Sequence, residues 1–351
     1  MRSRTTLILA TVALVLNGCG SSEIPVYTRQ FTAFDSPVEI RILGASEPLA
    51  AAKADEIEQD FQILDRSLTV QRAGALQQVN ERLAGDEPFA APPLLLPLLK
   101  RCYTLSEQSG ELFNPTIGFL YDLWGFHDVT ADCALTSLPE PATLERIVAA
   151  APKLTDLSLN DILLQSDNPA VKLDFRVGAM GYAIDLAMDN LHAQGIRHAV
   201  VKIGDNVRAL GDRVGQPWRV PLTRPGGAGV IGMLLISGNT SVFTRSDMQR
   251  NCLYQGKIYH DVLDPRTGYP VNTVRAVTVL HAGDALTTEV AATALFVAGL
   301  TQWAEVAKRL KIDAAALIDS DGTVHLSPEM ARQLKVIDRN AKLVVADNWG
   351  D

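Results

Sequence analysis

His260-Asp261-Val262-Leu263-Asp264-Pro265-Arg266-Thr267-Gly268-Tyr269-Pro270 joins turn chemistry to acid–base chemistry in one short run. Pro265 fixes one φ angle and Gly268 permits a positive one. Asp264 and Thr267 are residue types that hydrogen-bond the backbone of their own turn. Such a turn can aim several N–H groups into one concavity, which suits a phosphate. His260, just upstream, carries the side chain that moves a proton near neutral pH. The alternative is a surface turn with an incidental histidine, because Asp-Pro-x-x-Gly turns are common.

Outward from this run the chain alternates strands and helices. Downstream, residues 274–281 and 314–318 read as strands, 288–298 as an apolar helix ended by Gly299, and 302–310 as a further helix. Upstream, 219–242 alternates strands with Gly-rich turns, 198–203 is a buried strand, and 181–194 is a helix closed by Gly195, a good C′ residue. Residues 171–175 read as a short strand. Residues 26–34 and 38–43 read as strands joined by a turn at Asp35-Ser36-Pro37. Residues 48–68 form an amphipathic helix with Ile57, Phe61 and Leu64 at helical spacing, 93–109 a second, and 137–151 a third with Ser137 as cap. No repeat, heptad or low-complexity tract interrupts this pattern of a mixed α+β chain with a central antiparallel sheet.

The opening run resembles the HxxxDPxTGxP signature of the ApbE-like FAD:protein FMN transferases. Further segments fall in that family's order. Leu112-Phe113-Asn114-Pro115-Thr116-Ile117-Gly118 with Leu123-Trp124-Gly125-Phe126 resembles "F-D-x-T-x-G … L-W-G-F". Leu173-Asp174 with Gly181-Tyr182-Ala183-Ile184-Asp185 resembles "D-L-G-G-x-A-K-G-Y-A-x-D". Ile203-Gly204-Asp205 with Arg208-Ala209-Leu210-Gly211 resembles "I-G-G-D-x-R-A-x-G", and residues 289–297 resemble "D-A-L-A-T-A-L-F-V". The resemblance implies one domain over 27–351, a two-lobed α+β fold of mixed, largely antiparallel sheets and packed helices, with the flavin site between the lobes. It implies Mg²⁺-dependent transfer of FMN from FAD, in which a threonine hydroxyl of an exported redox protein attacks the FMN phosphorus and AMP leaves.

Carried over residue by residue, the family's metal ligands fall on the backbone oxygen of Val177 and on Glu289 and Thr293. The last two stand four apart, so on a helix they face one point. The alternative for them is a helix-start glutamate favoured by the dipole and a core threonine. Asp174 and Leu263 match flavin-nucleotide contacts, against a turn aspartate and a core leucine. Leu112, Phe113 and Asn114 match another FAD-contacting segment, with Asn114 in place of Asp. Asp264, Thr267 and Gly268 of the turn are assigned to the cofactor, and His260 to general acid–base catalysis, against a histidine bonded to the turn. Asp185 is expected to fix the following helix.

Several positions depart from the family. Phe34 stands where the family has Met, Val70 where it has Tyr, and Met180 where it has Lys or Glu. Arg176 and Val177 replace two glycines, and "S-G-D" has become Arg245-Ser246-Asp247. Arg245 is either a compensating phosphate contact or a solvated surface charge. These departures keep two alternatives open: an FAD pyrophosphatase of the same fold, and a catalytically silent flavin-binding or scaffold lipoprotein.

Residues 1–18 read as a lipoprotein signal peptide. Arg2 and Arg4 form a basic n-region, residues 7–16 an apolar stretch too short to span a bilayer, and Leu16-Asn17-Gly18-Cys19 a lipobox. The alternative is an ordinary cleaved signal. The expected product is a lipid-anchored protein facing the periplasm, acylated on Cys19, with 19–26 as tether. Gly20 in place of Asp favours the outer membrane. Net charge is −8 and no basic cluster occurs, which argues against nucleic acid. No later segment reads as a transmembrane helix. Cys102, Cys133 and Cys252 fit no zinc spacing and allow at most one disulfide; none is expected, with the thiols buried.

Overall fold

The computed structural model describes residues 24–349 except 86, 128, 130–132, 228 and 348. The signal peptide and Cys19 lie outside the described residues. A hairpin opens the fold: Val26–Ala33 and Ser36–Leu43 pair antiparallel from Val26↔Leu43 to Ala33↔Ser36. Phe34 and Asp35 connect them at φ 53° and 54°. A two-residue hairpin loop needs this left-handed pair to match strand twist. The turn therefore falls one residue earlier than expected, and Pro37 sits within the strand.

That hairpin is one edge of a nine-stranded sheet. After it come His198–Ile203, Asn206–Leu210, Thr240–Ser246, Val274–Ala282, Ala314–Asp319, Val324–Leu326 and Leu343–Val345, antiparallel throughout except the last pair. Both faces are covered, so the central strands carry apolar residues on both sides. Phe243, Val277, Ala315 and Leu317 enter a large core beneath the helices Glu47–Leu68, Leu96–Ser109, Ala179–Ala193 and Ala285–Leu310. Their neighbours Val242, Ala276, Ala316 and Ile318 point the other way, into a second core shared with the three-stranded sheet of Trp218–Thr223, Val230–Ile236 and Leu334–Val336. A third cluster gathers Tyr121, Trp124, Phe126, Leu144, Cys252 and Leu263. The mixed, largely antiparallel α+β architecture agrees with the expectation.

Local differences have local causes. Helix 137–151 shortens to Pro141–Ala149, because Pro141 takes the first helical position and Ser137 caps nothing. Residues 171–175 form no strand; only Lys172 makes a bridge, to Ile117. The two helices expected around Gly299 run on as one helix broken at Gly299, where φ is 61° and ψ −178°. By length and composition this helix passes for a membrane span, but most of its apolar window is buried between the other core helices and the sheet. Cys133 and Cys252 are joined in a disulfide, against the expectation of none; among the described residues Cys102 is the free cysteine, and it is buried. The bridge closes because Leu253 pairs with both Cys133 and Leu135 through the backbone, which sets the two cysteines side by side.

Candidate active site

Two helix N-termini meet at the floor of a cleft, and each supplies the acceptor the other lacks. N–H groups of a first helical turn have no partner within the helix. Glu289 Oε2 of the 285–310 helix accepts from Gly181 N at 2.7 Å. Asp185 of the 179–193 helix accepts from Ala285 N at 2.6 Å and Leu286 N at 3.1 Å. Arg208 Nη1 donates to Asp185 at 2.5 Å and Arg101 Nη1 at 3.4 Å. Gly181 permits this approach: a Cβ there would lie 2.7 Å from Leu286 Cα and 2.8 Å from the Ala285 carbonyl.

The cleft above has a volume of about 480 Å³. Glu289 and Thr293 line it, one helical turn apart. Burial pushes the Glu289 carboxyl up to about 7, against the opposing pull of the Gly181 and Gly178 N–H groups and of Arg245. Thr293 Oγ1 is buried without a hydrogen-bond partner. Among the described residues no group of three or more His, Cys, Asp or Glu side chains gathers as a metal site. The donors at the floor are one carboxylate and one hydroxyl, hard oxygens of the kind Mg²⁺ takes alongside backbone oxygens and water.

A charge network closes the inner end. Asp174 is buried; Arg176 N donates to its Oδ1 at 2.8 Å, and Arg176 Nη2 to its Oδ2 at 2.7 Å. Burial alone would raise the Asp174 carboxyl, but Arg176 overrides it and holds the pKa below the ordinary value. The Arg176 guanidinium lies 3.6 Å over the Tyr121 ring and also bonds Phe126 O and His127 Nδ1. Arg245 is no surface charge. It is buried, on the strand Thr240–Ser246, and donates to Asp261 Oδ1 at 2.7 Å. Asp261 reaches this position because its N–H bonds Arg250 O at the foot of the hairpin Asn251–Tyr254/Lys257–His260.

The expected residues separate into three groups. Phe34, Val70, Asp174, Met180, Glu289 and Thr293 line the main cleft. Leu112, Phe113, Asn114, Val177 and Leu263 line a small adjoining cavity of about 20 Å³, which shares Asp174, Arg176, Arg245 and Thr293 with it. Asn114 there holds its own turn, donating to Pro152 O and accepting from Thr116. His260, Asp264, Thr267 and Gly268 line neither cavity. The turn does not present a nest of free N–H groups. Arg266 N bonds Asp264 Oδ1, Thr267 N and Gly268 N bond Asp264 O, and Tyr269 N bonds Thr267 Oγ1. Gly268, at φ 75°, packs on Leu144 while its carbonyl accepts from Trp124 Nε1. His260 Nε2 donates to Val271 O at 2.6 Å, and its Nδ1 accepts from Val262 N at 3.3 Å. The sequence reading missed Asp261, Arg250 and His127, which converge on the site from segments far apart in the chain.

The Asp174–Arg176 pair gives a pH signature. Its lowered folded pKa stabilises the fold above the unfolded value of about 3.9, and that contribution is lost as pH falls through the folded pKa. In Arg176→Met the guanidinium is lost while the N–H of residue 176 still donates to Asp174 and His127 stays nearby; burial is then expected to outweigh them and the sign to reverse. The variant is expected to lose about 3–5 kcal/mol near neutral pH and to recover part of it on acidification, as Asp174 takes up a proton. Urea denaturation at a series of pH values measures this; a loss that does not change with pH would contradict it.

Comparison with known proteins places this geometry in a family. The sequence pattern of the ApbE family matches residues 34–318. A relative from Rhodobacter capsulatus, named FAD:protein FMN transferase, is 32% identical over 95% of this chain, which spans 64% of that protein's length. A Klebsiella pneumoniae protein of the same name is 29% identical, covering 89% of this chain and 95% of its own. The solved ApbE protein of Thermotoga maritima superposes with a TM-score of 0.78 at 24% identity, covering 88% of this chain and 99% of that one. The chain belongs to the ApbE family.

Proposed function

We propose that the protein is an FAD:protein FMN transferase that moves FMN from FAD to a threonine hydroxyl of an exported redox protein, with AMP as leaving group and Mg²⁺ required. The observation that carries this reading is the Glu289–Thr293 pair on the cleft, one buried carboxylate and one buried hydroxyl without a partner. Glu289, Thr293 and the backbone oxygen of Val177 would hold Mg²⁺. Bound there, the ion would neutralise charge developing on the pyrophosphate. Phe34, Val70 and Met180 offer an apolar wall to the flavin. Val271 O can only accept, so it fixes the proton of His260 on Nε2, and the Nδ1 lone pair accepts from Val262 N, a bond that has to open for Nδ1 to act as a base. Burial holds the His260 pKa below its ordinary value, which keeps the ring neutral. His260 is proposed to take the threonine proton once the bond from Val262 N opens, because it lines neither cavity in the closed turn.

Incubating the protein with FAD, Mg²⁺ and purified exported redox proteins tests this. AMP release with FMN covalently added to an acceptor threonine is expected, and Glu289→Gln, which keeps an acceptor for Gly181 N but removes the charge, should lower it at least tenfold. AMP with free FMN would mean a pyrophosphatase instead. Neither product would leave a silent scaffold, a reading favoured by the way Arg176 occupies Asp174.

The proposed location is the periplasmic side of a membrane, the outer membrane given Gly20, with an acylated Cys19 as anchor. The Cys133–Cys252 bridge supports export, because disulfides persist in oxidising compartments. Mass spectrometry of the protein isolated from cells should find a mature chain starting at acylated Cys19, with Cys133 and Cys252 linked. An intact Met1 with both thiols free would contradict this.

A further inference from the structure

We infer that Arg245 and Arg250 form an anion cradle at the inner end of the cleft, anchored by Asp261, that holds a phosphate group through their Nε–H donors. The inference rests on the flavin-transfer reading only for the source of that phosphate, the pyrophosphate of a dinucleotide.

Three guanidinium groups converge on one carboxylate. Asp261 is buried, with Arg245 Nη2 at 2.7 Å, Arg176 Nη1 at 3.8 Å and Arg250 Nε at 3.9 Å. Arg176 is already neutralised by Asp174. That leaves Arg245 and Arg250 sharing Asp261, while Asp35, Asp205 and Glu289 also line the cleft. Glu289, the other carboxylate facing Arg245, is bonded to Gly181 N. Arg245 Nε, Arg250 Nε and Asp261 Oδ2 are all buried without a hydrogen-bond partner, Arg250 Nε standing 3.9 Å from Asp261 Oδ2. A buried donor on a charged group left unpaired is destabilising. Two such donors on one cavity, Arg245 itself buried, match the planar forks by which arginines take phosphate oxygens.

The backbone holds the arrangement in place. Arg245 is fixed by the ladder to Val277, and Arg250 by its carbonyl bond from Asp261 N and its Nη2 bond to His127 O. Arg245 stands where the family signature has a small residue, so this chain carries a donor of its own there. The cradle would hold the phosphates while the Glu289 end of the cleft remains free for a cation.

Titration calorimetry with inorganic pyrophosphate in EDTA tests the cradle without a metal. Wild type should bind saturably, with affinity falling as salt rises. Arg245→Gln and Arg250→Gln should each weaken pyrophosphate and FAD at least tenfold and leave riboflavin, which lacks phosphate, unchanged. Arg245→Gln removes a partner of buried Asp261 and can unfold the protein; Arg250 is partly exposed, so Arg250→Gln keeps the test open. On wild type, pyrophosphate should also protect Arg250 from phenylglyoxal. Absent pyrophosphate binding, unchanged affinity in Arg250→Gln, or a parallel loss for riboflavin would overturn the cradle. Pyrophosphate held by these arginines with no AMP formed from FAD would keep the cradle and overturn the transfer reading. AMP release with undiminished FAD affinity in Arg250→Gln would do the reverse.

Discussion

The site depends on two helices capping each other. Each first turn presents N–H groups that no residue of its own helix can accept, and burial removes water as a substitute. Glu289 and Asp185 resolve both deficits at once. The arrangement fixes the crossing of the 179–193 and 285–310 helices to within a hydrogen-bond length, and so fixes where Glu289 and Thr293 stand. Arg208 brings the central sheet into the same contact through Asp185. The cleft floor is thereby built by the electrostatics of the large core.

A second network works on the opposite wall. In the third core Trp124 stacks on Phe126 and donates to Gly268 O, while Tyr121 underlies the Arg176 guanidinium. Arg176 stands where the family signature has glycine, and its bulk is accommodated because Asp174 takes two of its side-chain donors and Phe126 O and His127 one each. The same region gains Arg245 and Asp261 as a pair. Departures that look like losses when taken singly make one connected set of charges. The Cys133–Cys252 bridge ties the segment after His127 to the hairpin that carries Arg250 and Asp261, so this wall is covalently closed.

Much of the fold was legible in the residues. The strand 198–203 and the helix closed by Gly195 follow from periodicity and one cap, because local pattern and tertiary burial agree there. The nearness of Glu289 to Thr293 follows from helical spacing alone. What escaped was non-local. Arg245 stayed open between a phosphate contact and a surface charge because its partner Asp261 lies across a hairpin, and a strand's register is invisible in composition. The 260–270 turn read as a phosphate nest, yet Asp264 takes those N–H groups internally. Spacing could not reveal that Leu253 sets Cys252 beside Cys133. Gly181 was recognised as part of a motif, but its reason, backbone touching backbone, needs both helices in view.

Gly181→Ala tests the capping most directly. In an ordinary helix interior, alanine in place of glycine is stabilising by about 1 kcal/mol. Here the added methyl would stand 2.7 Å from Leu286 Cα, so the helices must part and both caps lengthen. Urea denaturation of the variant should therefore show a loss of about 1–3 kcal/mol. A gain near the helix-propensity value would mean that the two N-termini are free to separate and that the contact between them does not set the site.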